Sequence, residues 1–151
     1  MQQGQQQGQQ QGQQQGTASS LNAWNDVRAY LRNRFPDGIQ DEEDGLITAI
    51  VAWEDGRSQM VVVSSFESKS GHPWIEIKSP VGEIPMEDLP EALEDIFEKV
   101  CGGLVKLGDR YWVRHAMPIG NISVDEFDFP LNCVSVLADE LEENYVGGDN
   151  Q

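Results

Sequence analysis

Apolar residues recur along this chain with two different periods, and the switches between them divide it into elements. Leu21, Trp24, Val27, Leu31 and Phe35 lie three or four apart, which places them on one face of a helix predicted over Ser20–Phe35. Pro36-Asp37-Gly38 ends that helix. Branched apolar residues then crowd together as strands require. Leu46–Trp53 and Gln59–Phe66 flank the hairpin signal Asp55-Gly56, and Trp74–Lys78 follows the turn Ser68-Lys69-Ser70-Gly71. The first of these strands is apolar on both faces, so helices are expected on one face and some cover, such as a partner, on the other.

Ser79-Pro80 and Pro85 predict a loop, and Asp88-Leu89-Pro90-Glu91 opens a second helix with proline in its first turn. Leu89, Leu93, Ile96, Phe97 and Val100 form its apolar stripe, and Gly102-Gly103 closes it. Leu104–Leu107 and Tyr111–His115 read as another hairpin about Gly108-Asp109. Ser123-Val124-Asp125-Glu126 then spells a capping box. Phe127, Leu131, Val134, Leu137, Ala138, Leu141 and Tyr145 follow at helical spacing, up to the stop Gly147-Gly148. The predicted order is αβββαββα, an α+β fold in which helices pack against one antiparallel-rich sheet.

One domain is expected over residues 20–149, since 151 residues suffice for a single core without disulfides or metal. Residues 1–16 repeat glutamine and glycine without charge, and have nothing apolar after Met1. A disordered tail over residues 1–19 follows, acting as a passive extension or as a glutamine-driven self-association segment. Met1 is followed by glutamine and glycine rather than by a basic and then apolar run, so no secretory leader is read here. The longest strongly apolar stretch, Met60–Val63, is far too short for a bilayer. A cytoplasmic protein is expected.

Charge changes the picture most. Twenty-six acidic and ten basic residues give a formal charge of −16, a balance that repels nucleic acid and anionic lipid and favours basic or apolar protein segments. Seven acidic and no basic residues lie from Glu83 to Glu98, and eight and none from Asp125 to Asp149. Such runs are solvated helix faces, or they steer a basic partner. Arg28, Arg32 and Arg34 are the one basic cluster. They read as intramolecular partners for Asp41-Glu42-Glu43-Asp44 or for the last helix, with a phosphate site as the alternative.

Chemistry is sparse. The glycine pairs close helices instead of opening one around a phosphate, and there is no HExxH, CxxC or EF-hand spacing. No cofactor or metal is expected. His115 alternates with Tyr111, Val113 and Met117 on one strand face, and Cys133 is a possible nucleophile beside it. A packed core histidine is the competing reading, and Cys101 and Cys133 read as a reduced pair of thiols.

Tyr111-Trp112-Val113-Arg114-His115-Ala116-Met117-Pro118-Ile119, Ala138-Asp139-Glu140-Leu141-Glu142 and Gly147-Gly148-Asp149, taken with the element order, resemble the bacterial type III secretion chaperone-like family, with its Tir-chaperone and YbjN-type branches. That resemblance implies a small acidic α+β protein without enzymatic activity, commonly a homodimer. In the secretion branch it implies a cytoplasmic module that holds an extended segment of a client protein on apolar surface. In the YbjN-type branch it implies a regulatory domain. The corresponding dimer interface falls on Leu89, Leu93, Ile96, Phe97 and Val100. A thiol hydrolase using Cys133 and His115 is the alternative of another class.

Overall fold

The computed structural model describes residues 20–42 and 45–147; the glutamine–glycine stretch and Gly148 lie outside them. Six strands form one antiparallel sheet: β2 (Ile39–Glu42), β3 (Leu46–Ala52), β4 (Ser58–Glu67), β5 (Pro73–Gly82), β6 (Gly103–Leu107) and β7 (Arg110–Pro118), ordered β2-β3-β4-β5-β7-β6. Three helices accompany it: α1 (Trp24–Arg34), α2 (Leu89–Phe97) and α3 (Val124–Leu141). Two short strands, β1 (Ser20–Leu21) and β8 (Ile122–Ser123), pair antiparallel and join the start of α1 to the start of α3. This is the α+β architecture expected, with α3 packed against the sheet.

Ile47, Val63, Ile77 and His115 stand opposite one another on four neighbouring strands. The first three are fully buried, together with Val27 and Leu31 of α1 and Phe127, Leu131, Val134, Ala138 and Leu141 of α3. The period-two pattern of the strands and the period-3.6 pattern of the helices thus meet in one core. Tyr30 stacks edge-on against Phe127, ring centres 5.8 Å apart, and its hydroxyl donates to Asp128 at 2.6 Å, which fixes α1 to α3. The far side of β3 alternates outward, and Ile50 is exposed.

The structure departs from the sequence-based expectations at four places. The first helix begins at Trp24, not Ser20, because Ser20-Leu21 is drawn into the pairing with Ile122-Ser123. The Asp26 carboxylate accepts from the Asn22 and Ala23 amides at the new start. The polar stretch Ile39–Glu42 becomes a strand by pairing with β3, a tertiary effect that its composition conceals. The second helix stops at Phe97, short of Val100.

The fourth departure is at Ser79-Pro80, expected as a loop. The strand runs through it to Gly82, with a register shift between Pro80 and Gly82 where proline has no N–H to offer. Side chains mend the ladder there. Ser79 Oγ donates to the Met60 carbonyl at 2.6 Å, and Gln59 Nε2 donates to Ser79 Oγ at 3.0 Å and to the Pro80 carbonyl at 2.7 Å.

At the end of α3 the backbone widens into a π turn, Glu142–Val146. Val146 closes on Gly82, which has φ +112; a methyl there would sit 3.1 Å from Val146 Cγ1. The Tyr145 hydroxyl donates to Asp95 of α2. Burial and this partner together, the hydrogen bond first, push the Tyr145 phenol up to about 12.

Candidate interaction surface

Helix α2 does not present its stripe as one face. Ala92 is fully buried, and Leu89 and Ile96, three before and four after it, pack against the core. Leu93 and Phe97 are exposed on its other side, and Val100, beyond the helix end, is exposed as well. Phe97 is 89% exposed and Val100 88%. Of the five residues expected at an interface, Leu93, Phe97 and Val100 are therefore surface, whereas Leu89 and Ile96 dock α2 onto its own domain.

A groove of about 370 Å³ lies between the connector that follows α2 and the outer flank of α3. Val100 and Cys101 form one wall; Phe129, Cys133 and Val136 form the other. Phe129 and Val136 are themselves large exposed apolar side chains. They belong to a second row on α3, Phe129, Cys133 and Val136 at spacings of four and three, which the sequence displays beside the core stripe. Leu137 closes the floor, and Glu98 and Glu140 stand at the rim, where Lys99 Nζ lies 3.1 Å from Glu140. The lining is overwhelmingly apolar, and Glu98, Lys99 and Glu140 supply the charges at its rim.

Elsewhere several of the basic residues find carboxylate partners within the chain. Arg28 and Arg32 both bind Asp41, and Arg34 reaches Asp128 at 2.7 Å and Asn132 at 3.1 Å. Burial opposes the Asp41 carboxylate, but the two guanidiniums outweigh it and hold its pKa below the usual range. The arginine cluster is thus engaged internally, by Asp41 of β2 and by Asp128 of the last helix, within the two groups where its partners were expected. Glu76, opposed by burial, is likewise held low by Lys78 at 2.9 Å and by Arg114.

His115 ends the row of Ile47, Val63 and Ile77 on the sheet, and burial lowers its pKa. It does not line the groove that contains Cys133, whose neighbour there is Cys101. Among the described residues, no three His, Cys, Asp or Glu side chains converge as a metal site would need. No helix among them is long and apolar enough to cross a membrane. Compared with known proteins, the chain matches no protein-family model and no curated sequence.

Proposed function

We propose that this protein is a non-enzymatic binding module of secretion-chaperone-like architecture, which holds an extended segment of a client protein. The observation that carries the reading is the set of exposed apolar side chains Leu93, Phe97, Val100, Phe129 and Val136, of which the last three line one groove. A chain of net charge −16 has ample means to cover itself with polar side chains, and large apolar residues left together in water mark an interaction site. Acidic residues around this set favour a client segment that alternates apolar and basic positions. With β1, β2 and β8 set aside, the element order is the αβββαββα that the sequence predicts and on which the resemblance partly rests.

A fluorescein-labelled peptide of alternating leucine and lysine tests this by anisotropy. It should bind the folded protein, and bind more weakly as salt is raised. Phe97→Asp and Val100→Asp should each weaken binding by about tenfold or more, since each puts a carboxylate where an apolar contact stood. Binding unchanged by both substitutions, or absent in the wild-type chain, overturns the reading.

A second reading of the same set is the homodimer interface. The exposure of Phe97 and, just past the end of α2, of Val100 favours it. Glu91, Glu94 and Asp95 on that helix, with Glu98 following it, oppose it, because a two-fold contact would bring like charges together.

A further inference from the structure

We infer that Cys101 and Cys133 form a reversible intramolecular disulfide, and that the pair is a modification site for low-molecular-weight disulfides. They are the only two cysteines of the chain. Although 31 residues separate them in sequence, both line the same groove, their side chains adjoin, and both are half-buried rather than sealed. The chain beside Cys101 also runs close to α3. Gly102 sits between β7 and that helix, where a methyl group on it would lie 3.0 Å from Val113 Cγ1, 3.7 Å from Leu137 Cδ2 and 3.9 Å from Val134 Cγ2. Val134 and Leu137 follow Cys133 directly and by one turn.

Burial, then the hydrogen bond and charge of the adjoining Cys133 sulfur, push the Cys101 thiol up to about 12. The exchange opens when one of the two sulfurs loses its proton. That sulfur attacks one sulfur of the small disulfide, whose S–S bond breaks. One small thiol departs with that proton. The second cysteine sulfur then gives up its own proton and attacks the first in the mixed disulfide, which releases the second small thiol. The two cysteine thiols are oxidised by two electrons in total, and one small disulfide is reduced to two thiols. The product ties the connector after α2 to the flank of α3 and fixes the two walls of the groove to each other.

The test is exposure of the folded, full-length protein to oxidised glutathione, followed by acid quench and intact-mass measurement. The expected product has lost two hydrogen atoms, carries no glutathione and reverts with dithiothreitol. Peptide mapping should join Cys101 to Cys133. Because two cysteines can also meet at random, the reaction is repeated in urea, where it should be at least about tenfold slower, since unfolding removes the proximity. Cys101→Ser and Cys133→Ser should each stop at a single glutathione adduct on the cysteine that remains. Equal rates in the folded and unfolded chains, or stable adducts on both cysteines of the wild type, overturn the inference. These readouts are chemical, so they stand or fall separately from client binding.

Discussion

At the scale of single residues, two side chains of similar apolar character have opposite standing. Leu141 is 1% exposed at the end of α3, whereas Phe97 projects into solvent. Leu141→Ala is expected to cost about 2–5 kcal/mol, from lost transfer energy and the cavity left behind. Phe97→Ala should change stability by less than about 0.5 kcal/mol. Urea denaturation of both variants checks this, and equal losses would contradict the described packing. His115 gives a pH dependence with a definite sign. Burial lowers its folded pKa below the ordinary 6.5, so between those two values the unfolded chain binds a proton that the folded chain refuses. Stability therefore falls as pH drops through that window, then levels off once the folded form is protonated too. His115→Gln should flatten this part of the profile. Glu142 acts in the opposite sense at lower pH, because burial and the Asp139 charge raise its pKa, and it favours the folded state when protonated.

At the scale of elements, the third helix is the best specified by sequence. Its capping box is formed as spelled: Ser123 Oγ accepts from the Glu126 amide at 3.1 Å, and the Glu126 carboxylate accepts from the Ser123 amide at 2.8 Å. Ser123→Ala should lower stability by about 0.5–2 kcal/mol, measured by thermal unfolding. Gly82→Ala should be costlier than an ordinary surface change, on the order of 1–3 kcal/mol, because both the left-handed φ and the Val146 methyls resist a side chain. Local signals of this kind were legible: the stripe of α3, the Gly108-Asp109 turn and the internal role of Arg28, Arg32 and Arg34. What stayed hidden depended on distant partners. Ile39–Glu42 is a strand because β3 offers an open edge, and Pro80 stays in a strand because Gln59 and Ser79 replace a missing backbone bond. The surface was half legible. The stripe of α2 was visible, but its division into docking residues Leu89 and Ile96 and outward residues Leu93 and Phe97 depends on which way the helix rolls. The groove required Phe129 and Val136 of α3 to meet a connector some thirty residues earlier.

At the scale of the whole molecule, the assembly question reduces to which occupant covers Phe97 and Val100. Sedimentation equilibrium at micromolar concentration should separate a 16.8 kDa monomer from a species of twice that mass. If the dimer forms through α2, Phe97→Asp should yield a folded monomer, because Phe97 takes no part in the core. A dimer that survives Phe97→Asp would place the contact elsewhere. The packing of α3 over the sheet also bears on how the protein is made. Ile47, Val63 and Ile77 are synthesised early, whereas Phe127, Leu131 and Leu141, which shield them, come near the end. A ribosome adds about 5–20 residues per second, so a nascent chain carries a bare, adhesive sheet for roughly several seconds before its cover emerges. Messages cut short before the codons for α3 would yield polypeptides that cannot bury that surface at all, and quality-control proteases should meet these fragments far more often than the finished protein.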